Sequence, residues 1–194
     1  MCAVFAAGIL AALNGCFSPA SDERARQPPL MDSPVVTGDP AGFNAADVTF
    51  ATTMLAYDQQ EIDLAALVPQ HSGASNIAAF ALTKAADAQA DMAVLRALRV
   101  QWNENPDIKV GGDGKPPTPP GLVKETTMMR LNTLQGNAFD SDWLQAITGL
   151  DQSATLASDA EVHGGKNVDA VDVARRTLQA KRNDLSRAQQ LQDR

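Results

Sequence analysis

Three acidic side chains are the groups best placed to do chemistry in this chain. Asp58 and Glu61 follow an apolar run that starts at Phe50, and Asp151 follows a similar run that starts at Trp143. Both runs place apolar residues three and four positions apart, which predicts helices that bury one face. A buried carboxylate is costly unless it is paired or bound to a metal ion. The acids therefore indicate either a divalent-cation site or structural polar pairs, whose candidate partners are Gln59, Gln152 and the arginines of the last helix.

The two histidines are the remaining candidate ligands. His71 and His163 each stand next to a serine or glycine at a predicted turn between helices. Histidines at such turns are typical of helix C-termini. Because they occupy equivalent places in the two halves of the chain, we expect them at the same end of the molecule, where they could complete a metal site with Asp58, Glu61 and Asp151. With both histidines in turns, no general base can be placed, so we expect no enzyme activity.

The amino-terminal segment predicts where the protein is located in the cell. Residues 1–15 are apolar and uncharged but too short for a permanent membrane span, which is typical of a secretion signal. The sequence Leu13-Asn14-Gly15-Cys16 looks like a bacterial lipobox, so Cys16 is the predicted lipidation site. The proline-rich residues 16–42 are then expected to form a disordered tether. The alternative is a short buried helix with an unmodified cysteine. A lipid anchor would hold the protein on the cell envelope.

The rest of the chain predicts an all-α fold. Long helices are expected at residues 43–68, 77–102, 139–162 and 168–192, with a short helix at 122–134 in the connection after the second. Asn44 and Asp47 form a predicted capping box for the first helix. Several residues recur 93 positions apart, including Asp58 and Asp151. Residues 43–192 are thus expected to form two duplicated helical hairpins packed as a four-helix bundle with a long crossover.

Two segments resemble a known family. The run Leu134-Gln-Gly136-Asn-Ala-Phe139-Asp140 and the run Asp47-Val-Thr-Phe50 with Met54 look like the domain of unknown function 305 family. That resemblance implies a ferritin-like bundle with a duplicated hairpin, found in bacterial secreted and membrane-anchored proteins. It also implies a His-His pair in each long helix followed by a methionine, and in some members an association with copper.

The expected copper ligands are replaced in this chain. The His-His positions hold Tyr57-Asp58 and Leu150-Asp151, and the methionine positions hold Leu64 and Ala157. Carboxylates do not replace imidazole and thioether groups as ligands for Cu(I). We therefore expect a membrane-anchored, non-catalytic binding or interaction module without a cofactor, in which the family metal site is degenerate.

Two alternatives remain for the function. One is a metal-homeostasis protein that binds a divalent ion through the carboxylates, with a histidine as a further ligand. The other is an adaptor whose acidic surface meets a basic envelope protein. The net charge of -7, with no basic cluster, argues against a nucleic-acid partner.

Overall fold

Four long helices and one short helix make up the described part of the chain. The computed structural model describes residues 42–103 and 118–193. The helices are α1 (Ala45–His71), α2 (Ser75–Asn103), α3 (Glu125–Leu131), α4 (Gly136–Gly164) and α5 (Val168–Gln192), and no strand occurs in those two ranges. This confirms the all-α prediction. The predicted signal at 1–15, Cys16 and nearly all of the tether lie outside the described residues.

The helix starts follow local sequence signals. The Asn44 side chain accepts hydrogen bonds from the backbone N–H groups of Ala46 and Asp47, and the Asp47 carboxylate accepts one from the Asn44 N–H. The predicted capping box is therefore present. At the other end, α1 continues to His71, three residues past its predicted end. Pro69 lies in the last turn, where its lack of an N–H group removes the one backbone hydrogen bond that this position would donate to the carbonyl of Ala65.

The two hairpins, α1–α2 and α4–α5, pack so that α1 and α4 run antiparallel. At one end, the Asn44 amide donates to the carbonyl of Gly164 at 2.9 Å. At the other end, the His71 ring nitrogen Nδ1 lies 2.8 Å from the carbonyl of Leu134, just before α4 begins. Between these ends, the Trp143 indole donates to the Leu64 carbonyl at 2.9 Å. The connection between the hairpins must therefore run along the bundle, as predicted for the long crossover.

The described part of this crossover packs against α1. The Tyr57 hydroxyl donates to the Pro120 carbonyl at 2.5 Å, and the Gln60 side chain makes two hydrogen bonds with the backbone of Val123. These contacts lead the chain from the middle of α1 towards its C-terminal end.

None of the five helices in the described ranges combines the length and the apolar character that a membrane span requires.

Candidate functional site

Each long helix contributes one ionisable residue to a cluster inside the bundle. The four members of this ion-pair cluster are Glu61 from α1, Lys84 from α2, Asp151 from α4 and Lys181 from α5, and none is more than 6% exposed. Lysine and acidic residues are almost never this deeply buried unless they are paired. The apolar core on both sides of the cluster includes Met54, Leu64, Ile147 and Leu150.

Both ammonium groups contact both carboxylates. The Lys84 nitrogen contacts the Glu61 carboxylate and lies 2.5 Å from Asp151 Oδ1. It also lies 2.8 Å from Oδ2 of Asp184, which sits nearer the surface. The Lys181 nitrogen lies 2.6 and 2.9 Å from the two Glu61 oxygens and 3.2 Å from Asp151 Oδ1. Lysine nitrogens thus occupy the space between the carboxylates that a metal ion would need.

The cluster sets the ionisation of its members. Burial opposes the charge on Glu61, but Lys181 and then Lys84 lower the pKa of that carboxyl below its usual value. Burial likewise opposes the charge on Lys181, whose pKa is nevertheless raised by Glu61 and Asp151. For Asp151, burial outweighs the two lysines and raises the pKa to about 6. Glu61 and Lys181 therefore form a charged pair at neutral pH.

Asp58 has a different environment from these paired acids. It is only 1% exposed, and its Oδ2 atom accepts no hydrogen bond from the described residues. Burial and then the charge of Glu61 raise the pKa of Asp58 to about 8. The Asp58 carboxyl is therefore mainly protonated at neutral pH.

The predicted metal-ligand set does not form one site. Residues 42–103 and 118–193 contain no group of three or more His, Cys, Asp or Glu residues that could hold a metal ion. Because α1 and α4 run antiparallel, His71 and His163 lie at opposite ends of the bundle, so the prediction of a shared end is wrong. His71 stacks on Phe139, and the His163 side chain is 74% exposed. Neither can join Asp58, Glu61 and Asp151.

The alternative prediction, in which the acids form structural polar pairs, named the right kind of interaction but the wrong partner residues. Gln59 and Gln152 are exposed, and lysines rather than arginines neutralise the acids. Lys84 and Lys181 were missed because lysine normally marks a solvated helix face. A signal did exist: Lys84 lies four residues from both Phe80 and Ala88, and all three are buried. A lysine within an apolar stripe indicates a buried ion pair.

A family model described as "Domain of unknown function (DUF305)" matches residues 47–192. The chain belongs to the DUF305 family. The match covers all four long helices except the first two residues of α1 and thus confirms the resemblance stated from the sequence. No curated protein matches the chain.

Solved structures of DUF305 proteins have the same fold. A DUF305 fragment from Deinococcus radiodurans is 20% identical with a TM-score of 0.68, and the match covers 80% of this chain and 99% of that one. A putative secreted DUF305 protein from Streptomyces coelicolor is 17% identical with a TM-score of 0.64, covering 74% and 88%. CopM in its Cu(II)-bound form is 15% identical with a TM-score of 0.62, covering 76% and 95%. At these identities the likeness shows the fold alone.

The interior of this DUF305 bundle does not fit a copper ion. Its acids supply hard oxygen atoms, whereas copper prefers imidazole, thiolate or thioether ligands. Both histidines lie at the helix ends, and the two lysine ammonium groups would repel any cation brought between Glu61 and Asp151. The arrangement can hold charge inside the bundle and bind a proton at Asp58. It does not present an open coordination position.

Proposed function

We propose that this DUF305 protein is a non-catalytic, extracytoplasmic binding or interaction module whose interior metal site is replaced by internal ion pairs. The observation that carries the proposal is the pair of lysine nitrogens, from Lys84 and Lys181, held between the carboxylates of Glu61 and Asp151. Each ammonium supplies the positive charge that a bound metal ion would supply. The bundle can therefore fold around buried acids without a cofactor.

The energetics of the cluster support this function. A metal ion could reach the carboxylates only if the lysines left them, and breaking a buried ion pair costs about 3–5 kcal/mol. The displaced ammonium groups would also need new partners in an interior that is otherwise largely apolar. Internal lysines thus compete with metal binding at every pH at which they are charged.

Metal handling is the second candidate function. The likeness to CopM in its Cu(II)-bound form favours it, as do the acids that surround the lysines. In that case the acids Asp58, Glu61 and Asp151 would have to bind the ion after the lysines move away. The two functions differ in whether the purified protein binds a metal stoichiometrically.

Metal binding by the purified full-length chain tests the proposal. The protein should be prepared without chelator or affinity tag, analysed for metal content and titrated with Cu(I), Cu(II), Zn(II) and Mn(II). We expect no stoichiometric metal and no change in melting temperature on titration. Stoichiometric binding that is lost in Asp58→Ala/Asp151→Ala but retained in Asp87→Ala, which changes an exposed acid on α2, would establish metal handling instead.

The extracytoplasmic address is part of the proposal. Its support is the lipobox-like sequence ending at Cys16 and the likeness to a DUF305 protein described as putatively secreted. We expect the full-length chain to incorporate labelled palmitate in a bacterial host and to fractionate with membranes. Cys16→Ser should abolish both properties, whereas Cys2→Ser should abolish neither. Equal labelling of the Cys16→Ser variant would refute lipidation at this residue.

A further inference from the structure

A repeated acid is hydrogen-bonded in one half of the bundle but lacks the equivalent hydrogen bonds in the other. Asp47 in α1 and Asp140 in α4 stand 93 residues apart, as do Asn44 and Asn137. Asp47 is completely buried. Its carboxylate accepts hydrogen bonds from the backbone N–H groups of Asn44, Lys166 and Asn167, at 2.5, 3.0 and 2.9 Å. It thereby fastens the turn between α4 and α5 onto the start of α1.

Asp140 makes none of the equivalent contacts. Its Oδ1 atom is buried but accepts no hydrogen bond from the described residues, and no described Lys, Arg or His pairs with it. The reason lies in the start of α4, which begins at Gly136 with Gln135 as its N-cap. Asn137 is therefore already inside the helix, and Asp140 lies beyond the amides that a capping carboxylate can reach. In the turn between α1 and α2, the Ser72 N–H donates to the Val68 carbonyl and the Ala74 N–H donates to the Ser72 hydroxyl, so both groups already have acceptors.

A pocket stands beside Asp140, at the corresponding end of the bundle. It has a volume of about 310 Å³ and is formed by the start of α2, the start of α4 and the end of α5. Ile77 and Leu144 are buried side chains in its wall, and Leu191 is a partly buried one. Polar groups surround this apolar part; they belong to Asn76, Ser141 and Gln192.

We propose that this pocket binds the cationic group of a small amine or guanidinium compound, with Asp140 as its counter-ion. A cation with several N–H donors can donate hydrogen bonds to the Asp140 carboxylate, as the backbone N–H groups of Lys166 and Asn167 do to Asp47. Amide and hydroxyl oxygens at the pocket can accept its remaining N–H groups, and a short aliphatic chain can pack on Ile77 and Leu144. The C-terminus of α5 favours a cation here, whereas the N-termini of α2 and α4 do not, so the preference for a cation comes from the charge of Asp140.

This inference specifies a ligand class for the proposed binding module, and its test does not involve metals. Butylammonium and butylguanidinium chloride can be titrated into the ¹⁵N-labelled full-length protein, with butanol as the neutral control. We expect saturable shifts of backbone amide signals around Ile77, Ser141 and Gln192 with the cations but not with butanol. Absence of saturable shifts, or equal shifts with butanol, would overturn the proposal.

Variants separate a specific site from general attraction to an acidic protein. Asp140→Asn should weaken cation binding at least about tenfold, equivalent to about 1.4 kcal/mol. Asp87→Asn, which removes an exposed acid on α2, should leave it unchanged. Ser141→Leu puts a larger side chain into the pocket from an exposed position and should also weaken binding while the bundle stays folded. Unchanged binding in both Asp140→Asn and Ser141→Leu would refute the site.

Discussion

Two groups of three residues occupy equivalent positions in the bundle interior. In one, Asp151 and Asp184 share the ammonium of Lys84, at 2.5 and 2.8 Å. The other group consists of Asp58, Asp91 and Thr177. Asp58 and Asp91 stand 93 positions before Asp151 and Asp184, and Thr177 stands 93 positions after Lys84. The Thr177 hydroxyl donates to Asp91 at 3.3 Å, and Asp58 Oδ2 accepts no hydrogen bond from the described residues.

The difference shows that direct contact with the lysines decides the charge of each acid. Asp151 contacts ammonium groups from α2 and α5, whereas no ion pair among the described residues reaches Asp58, and Glu61 on its own helix raises its pKa further. Burial raises the pKa of both acids, to about 6 for Asp151 and about 8 for Asp58. At neutral pH one repeated aspartate is therefore mainly an ion-pair partner and the other mainly a neutral acid.

Replacing Lys84 should have the largest effect. Lys84→Met leaves Asp151 and Asp184 without their shared ammonium and leaves Glu61 with one lysine, so the free energy of unfolding should fall by about 3–5 kcal/mol at pH 7. Denaturant unfolding measures the change. Lys124→Met, at an exposed lysine whose side chain makes no capping bond, is the matched control and should change stability little. A loss below about 1 kcal/mol for Lys84→Met would show that the ion pairs contribute little.

The two aspartates should respond to amidation to different extents. At pH 8 both carboxyl groups are costly to ionise inside the bundle, because burial raises both pKa values. Asp58→Asn should therefore stabilise the protein by roughly 2 kcal/mol. Asp151→Asn should stabilise it less, because two ammonium groups offset part of the cost of burying the Asp151 charge. Denaturant unfolding of both variants between pH 4 and pH 8 measures the difference, and a stability change of equal size in both would contradict the contrast.

The pH dependence of the Asp58 effect follows from its raised pKa. The folded-state pKa of about 8 lies above the ordinary value of 3.8, so the folded chain holds this proton more tightly. The stabilisation from the protonated group is complete below about pH 4 and is lost as the pH rises to 8. The free energy of unfolding of Asp58→Asn, relative to that of the parent protein, should therefore increase from pH 4 to pH 8. Burial also raises the pKa of Glu161 to about 8. Its effect on the pH dependence of stability is the same in both proteins, so it does not alter the difference between them.

Thr177→Val should have the smallest effect. It removes a hydroxyl whose single proton is shared between Asp91, at 3.3 Å, and the Val173 carbonyl, at 3.0 Å. The loss should cost less than about 1 kcal/mol and raise the pKa of Asp91 further. Carbon-detected NMR titration of the Asp91 carboxyl measures that pKa. Thr155→Val is the control, because Thr155 donates to the backbone carbonyl of Asp151 four residues earlier. An unchanged Asp91 pKa in Thr177→Val would show that the hydroxyl does not support this acid.

Most of the fold could be predicted from local sequence patterns. Apolar residues three and four positions apart and the Asn44–Asp47 capping box report on a single helix, so they can be recognised without knowing its neighbours. The direction of the second hairpin depends on where the crossover leads, which no local pattern encodes. The contacts of Tyr57 and Gln60 with the crossover show its path along α1. For that reason the end assigned to His163 was wrong.

The sequence by itself determined the family, the four helices and the presence of Asp58, Glu61 and Asp151 on faces that become buried. Only the tertiary structure decided what those acids do, because Lys84 and Lys181 come from other helices and their distance along the chain does not reveal the pairing. The same holds for Asp47 and Asp140, whose partners depend on which turn lies opposite each one. A buried charge takes its chemistry from whichever groups tertiary packing brings within hydrogen-bonding distance.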